Sequence, residues 1–112
     1  MIKILPLLVV TMVALGCGDD DVGNGGDLVG GDCASSDDCQ DLCQRGEDFP
    51  DGTCTLRCDD DGDCPAGTNC IDDEDGICLL GCDHPDDCRP GYTCKGEENR
   101  GHGGDSLVCI RD

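Results

Sequence analysis

The chain has 112 residues, 13 cysteines and a formal net charge of −19, with 26 acidic residues against seven basic ones. This charge excludes nucleic acid as a partner, because a phosphate backbone requires a basic surface. The cysteine content predicts a framework of covalent cross-links in an exported protein.

The N-terminus predicts a secretory signal peptide over residues 1–16. Lys3 supplies a positive charge, and Ile4 to Leu15 form an uncharged and mainly aliphatic run. The run is shorter than the roughly 20 residues that a membrane-spanning helix needs. No later stretch is apolar enough to span a bilayer, so we expect no second membrane segment.

The leader ends in Ala14-Leu15-Gly16-Cys17, and this end resembles the lipobox of bacterial lipoproteins. Gly16 and Cys17 fit the family pattern, whereas Ala14 stands where leucine is commoner and Leu15 where a smaller residue is commoner. The resemblance implies a diacylglycerol group on the Cys17 sulfur, cleavage before Cys17 and acylation of the new amino group. Two or three acyl chains anchor a protein stably. It also implies a bacterial cell envelope, and Gly18 after the cysteine favours the outer membrane or cell surface.

The number of cysteines separates this interpretation from its alternative. An ordinary secretory signal peptide would leave Cys17 as a free thiol. The other twelve cysteines lie together between Cys33 and Cys109, so the odd cysteine is the one behind the leader. This arrangement favours the lipid anchor.

Residues 17–32 are rich in glycine and aspartate and contain no cysteine after Cys17. Such a segment buries too little apolar surface to order itself, which predicts a flexible acidic tether. A coil of this length spans roughly 20 Å. The cysteine-rich domain is then expected over residues 33–112.

The twelve cysteines of this domain divide into three modules of four, over residues 33–54, 58–78 and 82–109. An aspartate precedes the second cysteine of each module, and Asp-Gly stands near the end of the first two. This periodicity predicts tandem small units. Close C-x2-C pairs, which zinc sites favour, do not occur in the sequence, so we expect disulfides rather than a thiolate metal cluster. The twelve are Cys33, Cys39, Cys43, Cys54, Cys58, Cys64, Cys70, Cys78, Cys82, Cys88, Cys94 and Cys109.

The sequence predicts a small disulfide-rich, loop-rich fold with short β-hairpins and little helix. Large apolar side chains are few in the cysteine-rich region, so cross-links must supply much of the stability. One short helix is predicted over residues 36–46. Ser36 would be its N-cap and Gly46 its exit.

The second and third modules share the spacing C-x5-C-x5-C, with Gly67 or Gly91 three residues before the third cysteine. This pattern resembles the N-terminal cysteine-rich region of Dickkopf proteins over residues 54–94, whereas residues 33–54 depart from it. The resemblance implies a small, disulfide-stapled, loop-rich fold and carries no signalling activity with it. Cysteine order alone leaves three pairings open in each module. By analogy with small interleaved domains, we expect first-to-third and second-to-fourth bonds.

Two acidic runs, residues 59–63 and 72–76, are candidates for weak calcium binding. Neither fits an EF-hand loop, because its first and twelfth positions lack the required carboxylates. The alternative is a solvated acidic face that keeps the protein soluble. His84 and His102 are expected to be surface residues. The candidate calcium ligands are Asp59, Asp61, Asp63, Asp73 and Asp75.

No catalytic motif or residue is found, so we expect a protein that is not an enzyme. We expect a monomeric lipid-anchored envelope lipoprotein that displays a disulfide-rich interaction module to a protein or polysaccharide partner. Its contacts are expected in the last loop of the third module, Lys95 to Val108. Two alternatives stay open: a cysteine-stapled protease inhibitor acting through Arg45 to Thr53, and a calcium-dependent structural module. No cofactor is expected beyond the lipid on Cys17 and calcium.

Overall fold

The computed structural model describes residues 21–111, so the predicted signal peptide and Cys17 lie outside the described residues. Each module forms one antiparallel two-stranded hairpin, and a short 3-10 turn precedes it. The predicted small, disulfide-rich and loop-rich fold is confirmed. The strands are β1 (Leu42–Gln44), β2 (Thr53–Thr55), β3 (Thr68–Ile71), β4 (Ile77–Leu80), β5 (Thr93–Glu98) and β6 (Asp105–Ile110), and the 3-10 turns are Ser36–Asp38, Asp61–Asp63 and Pro85–Asp87.

Two interleaved disulfides hold each module, and the first-to-third, second-to-fourth pairing is confirmed. The third and fourth cysteines of a module lie directly opposite each other across its hairpin. Each of them nevertheless bonds to a cysteine that precedes the hairpin, so both strands are fastened to the chain around the 3-10 turn. The bonds are Cys33–Cys43, Cys39–Cys54, Cys58–Cys70, Cys64–Cys78, Cys82–Cys94 and Cys88–Cys109.

The repeated aspartate holds each 3-10 turn closed. Oδ2 of Asp87 accepts hydrogen bonds from the backbone N–H groups of Asp83 at 2.9 Å and His84 at 3.0 Å. The same kind of contact recurs at Asp38 and Asp63. A side-chain acceptor is needed here because the first N–H groups of a turn have no backbone partner within it. This explains why aspartate stands before the second cysteine of every module.

The repeated Asp-Gly brings the end of a module against its first cysteine. The backbone N–H of Cys58 donates to the carbonyl of Gly76 at 3.1 Å. Gly76 has a φ of +100°, and a Cβ built on it would lie 2.2 Å from the carbonyl oxygen of Cys58. Gly52 makes the same close approach to Cys33. Only glycine fits both the positive φ and the contact.

One hydrophobic core is shared by all three modules. Phe49 comes from the first module, Ile71 from the second and Val108 from the third, and each is almost fully buried. A second cluster forms around Val29 and the disulfides of the second module. The three modules therefore stabilise one another and form a single folding unit.

The tether prediction is wrong for residues 21–32. Val29 is 1% exposed, and Val22 pairs with it in a β-bridge. The backbone also binds the first module, because Gly30 N–H donates to the carbonyl of Cys54 at 2.9 Å and Cys54 N–H donates to that of Gly31 at 2.8 Å. The composition of this segment indicated too few apolar side chains for a core. The segment is ordered because Val29 packs against the second module. The domain therefore begins at or before Asp21.

The predicted helix over residues 36–46 is also wrong. Ser36 opens a 3-10 turn of three residues with Ser35 as its N-cap, and the chain then enters β1. The Ser36 hydroxyl accepts a hydrogen bond from the N–H of Cys43 in β1, at 3.1 Å, instead of capping a helix. Pairing with β2 and the Cys33–Cys43 bond outweigh the local helical preference.

Gly76→Ala should destabilise the domain more than Gly67→Ala. Both glycines have a positive φ, but a Cβ on Gly67 meets no atom within 4 Å. We expect a loss of about 1–2 kcal/mol at Gly67, from backbone strain alone, and about 3 kcal/mol or more at Gly76. Denaturant unfolding of the oxidised proteins measures both, and equal losses would contradict the proposed close contact.

Candidate functional site

The third module carries the longest hairpin of the described chain. The segment from Lys95 to Val108 was expected to be a loop, but it forms most of β5 and β6. The two strands pair from Thr93↔Ile110 to Glu98↔Asp105, which leaves residues 99–104 as the turn. The extra length of the third module is therefore regular structure, with cross-strand hydrogen bonds, and not a free recognition loop.

The turn of this hairpin is docked on the acidic loops of the second module. Nη1 of Arg100 lies 2.9 Å from Oδ1 of Asp72, and its Nε lies 4.0 Å from Oδ1 of Asp59. Nε2 of His102 lies 3.0 Å from Oδ2 of Asp61. The Arg100 guanidinium therefore balances the charge of two acidic loops that the sequence suggested for a metal ion.

The five candidate calcium ligands do not converge on one centre. Oδ1 of Asp61 accepts the N–H of Cys70 at 2.8 Å, and Oδ2 of Asp63 accepts the N–H of Asp59 at 2.9 Å. The hydrogen bond from Cys70 is the main reason that the pKa of Asp61 is lowered, and His102 adds to it, against the opposite effect of burial. Within residues 21–111, the groups of three metal-ligand side chains within 4.8 Å of one another are cysteine trios. Calcium binding at Asp59, Asp61, Asp63, Asp73 and Asp75 stays a prediction.

The loop suggested for protease inhibition, Arg45 to Thr53, is tied into the fold. Nη1 of Arg45 donates to the carbonyls of Cys33 at 3.2 Å and Ala34 at 2.8 Å. Phe49 and Thr53 are buried. These contacts make the loop rigid, but they direct its arginine and its aromatic side chain to the protein itself.

Arg89 and Tyr92 join the third module to that same loop. Nη2 of Arg89 donates to the carbonyl of Gly52 at 2.7 Å and to Oγ1 of Thr53 at 3.0 Å, with its guanidinium 4.5 Å from the Tyr92 ring centre. The Tyr92 hydroxyl donates to the carbonyl of Pro50 at 3.0 Å. Burial raises the pKa of Tyr92. This inter-module contact is structural, and the cavity beneath it, about 10 Å³, holds no more than a water molecule.

An open groove of about 600 Å³ lies between the second and third modules. Leu107 lies beside this groove and is 48% exposed. It is the one large hydrophobic residue of the described chain that is exposed. The linker between the modules runs along β6, where Gly81 bridges Val108 and the N–H of Cys82 donates to the carbonyl of Leu107 at 3.2 Å. Because side chains alternate along β6, Val108 enters the core and Leu107 faces the groove. The groove is lined by Gly67, Thr68, Asn69, Gly81, Cys82, Asp83, Asp87, Ser106 and Leu107.

No known protein family, curated protein or solved structure shows significant similarity to this chain. Within the described residues, no helix has the length and apolar character needed to cross a bilayer. The lipobox and the Dickkopf-like spacing stay predictions from the sequence.

Sequence reasoning missed Leu107 as a candidate contact residue. It lies within the predicted segment, but nothing in the sequence distinguishes it from Val108 beside it. Two-residue alternation would have placed the two on opposite faces if the segment had been recognised as a strand.

Acid should weaken the turn at Pro85–Asp87. Hydrogen bonds from the backbone N–H groups of Asp83 and His84 hold the pKa of Asp87 below its ordinary 3.8. A lowered folded-state pKa stabilises the protein above the unfolded-state pKa, and this contribution is lost as pH falls through the folded-state value. Denaturant unfolding at about pH 4 and about pH 2 should therefore show a larger loss in wild type than in Asp87→Asn.

Asp86→Asn, at the neighbouring exposed carboxylate, is the matched control and should behave like wild type. Equal losses in wild type and Asp87→Asn would show that the Asp87 carboxylate does not hold the turn.

Proposed function

We propose that the protein is a non-enzymatic lipoprotein of a bacterial cell envelope, anchored through Cys17, which displays its disulfide-rich domain to a partner. The single observation that carries this proposal is the use of the cysteines. Six disulfides consume the twelve cysteines from Cys33 to Cys109, and Cys17 is the one that remains. That cysteine stands where the lipobox pattern requires the lipid.

The anchor would hold the domain close to the membrane surface. Asp21 already hydrogen-bonds within the domain, since Gln40 donates to its carboxylate at 2.8 Å. Four peptide units join Cys17 to Asp21, and they span at most about 14 Å. This upper limit exceeds the Debye length of about 8 Å in physiological salt, so the charge of the domain is largely screened from the headgroups when the linker is extended and acts on them only when the domain comes closer. An acidic domain is repelled by anionic lipid, which favours its display away from the bilayer.

The interaction surface of the proposal is the groove beside Leu107. Its exposed leucine supplies apolar contact area, and Asp83 and Asp87 supply negative charge. None of the residues that line the groove is basic. A partner that places an apolar side chain flanked by cationic groups in the groove is complementary to it.

The contacts of the polar side chains in residues 21–111 support a protein that binds a partner and does not catalyse a reaction. His102 and Asp61, whose residue types can transfer protons, contact each other at the docked hairpin turn. The Asp87 carboxylate closes a backbone turn. These groups hold the fold together instead of lining an enclosed pocket.

Cys17→Ser should abolish the anchor without disturbing the domain. We expect wild type in the membrane fraction with residues 1–16 removed, acyl mass at Cys17 and no thiol that alkylates before reduction. The variant should lack the acyl mass and keep all six disulfides. Intact mass with and without reduction measures both.

Gly18→Ala keeps the sulfur and should remain acylated, which makes it the matched control for Cys17→Ser. A soluble wild-type product whose Cys17 alkylates without reduction would refute the anchor.

A photoreactive phenylalanine at position 107 should cross-link to a partner on intact cells, because this side chain faces the open groove. The same residue at exposed position 47, in the first module, is the matched control. Adducts at 107 that excess purified wild-type domain suppresses, with none at 47, are the expected result. No adduct at 107, or equal adducts at both positions, would refute the groove as the contact surface.

A further inference from the structure

The two disulfides of each module lie against each other. In every module, one sulfur of the first-to-third or second-to-fourth bond lies within 4.8 Å of both sulfurs of the other bond. We call this sulfur the pivot. It is Cys39 in the first module, Cys58 in the second and Cys82 in the third. A thiolate at a pivot would therefore have two disulfide sulfurs within reach.

Exposure distinguishes the third module from the second. Cys82 and Cys94 are both half-buried, so the pivot disulfide of the third module can be reached at either end. The other disulfide of the third module is shielded from solvent, since Cys88 is 9% exposed and Cys109 is 8% exposed. The pivot disulfide of the second module, by contrast, is buried at both ends, at Cys58 and Cys70.

The groove beside Leu107 gives access to the pivot of the third module. Cys82 is one of the residues that line the groove, whereas Cys88 and Cys109 are not. A thiol arriving from solvent therefore meets Cys82–Cys94 before it meets the buried bond.

We propose that the third module is a thiol–disulfide exchange site. Reduction of the accessible Cys82–Cys94 bond frees the Cys82 thiol, which then attacks the buried Cys88–Cys109 bond. The co-reactant is a small thiol or a dithiol protein in the envelope. The proposal does not depend on the lipid anchor or on a partner in the groove.

The first step reduces the accessible bond. A dithiol gives up two electrons and becomes a disulfide, and Cys82–Cys94 becomes two thiols. In the second step the Cys82 thiolate attacks Cys88 or Cys109, a new bond to Cys82 forms, and the old Cys88–Cys109 bond breaks. The displaced sulfur leaves as a thiolate and takes up the proton that Cys82 lost, so the number of disulfides does not change in this step.

Either product separates Cys88 from Cys109. That bond joins the end of the Pro85–Asp87 turn to β6, the strand that carries Leu107. Exchange therefore alters how the β5–β6 hairpin is held, and a reducing environment would act on the candidate interaction surface.

The test compares two full-length variants that each leave one thiol in the third module. Cys94→Ala leaves the pivot Cys82, and Cys82→Ala leaves Cys94, whose sulfur is outside the trio. Each oxidised protein is held at about pH 8, where a good share of thiol is ionised, then quenched with acid, alkylated and mapped by peptide mass spectrometry. Both variants carry the same Cys17, which the map reports separately.

We expect the label of Cys94→Ala to be divided among Cys82, Cys88 and Cys109, and the label of Cys82→Ala to stay on Cys94. Label confined to Cys82 in the first variant would refute the exchange. Equal scattering in both variants would also refute it, because scrambling would then not require the pivot.

Wild type supplies a second measurement that does not depend on the folding of a variant. Limiting dithiothreitol should produce Cys82–Cys88 or Cys82–Cys109 peptides in the third module, while Cys58–Cys70 of the second stays intact. Loss of Cys82–Cys94 with no new bond to Cys82, or earlier reduction of Cys58–Cys70, would overturn the proposal.

Discussion

The interleaved disulfide pair of each module is the constraint on which the rest of the structure depends. Hairpins with strands of three or four residues, such as β1–β2, are too short to be stable by themselves in water. Bonds from both strands to the chain around the 3-10 turn fix the register of the hairpin and the position of the turn together. The aspartate caps and the Asp-Gly contacts act together with these bonds, because they satisfy backbone groups where the chain folds back on itself.

The modules share a core because none of them can bury its apolar side chains alone. Phe49 lies against side chains of the second and third modules, and the contact of Arg89 with Thr53 closes the third module over the first. Residues 21–32 add Val29 to the same body. A repeat protein in which each unit depends on its neighbours behaves as one cooperative domain, so a change in the third module is felt in the first.

The cysteine spacing predicted the three modules, and analogy with small interleaved domains supplied the disulfide pairing that the spacing alone left open. The segment Lys95 to Val108 was expected to be a loop, and it became most of β5 and β6 because the third and fourth cysteines pair across a longer hairpin. The failures share a different cause. Local composition assigned residues 21–32 to a tether and residues 36–46 to a helix, but Val29 is held by side chains distant in sequence and Ser36 by the N–H of Cys43. Leu107 was not singled out because its exposure depends on where the inter-module linker runs.

The partner recognition that we propose would depend on more than charge, because the arginines of the domain are already engaged within the protein. The arginines of the described chain contact the protein's own backbone carbonyls or aspartates, although Arg45, Arg57 and Arg111 are exposed. The formal net charge of −19 would attract cationic partners but would not choose among them. Discrimination would then require a short-range feature, and we propose the exposed Leu107 beside the inter-module groove for it. The arginines so used are Arg45, Arg57, Arg89, Arg100 and Arg111.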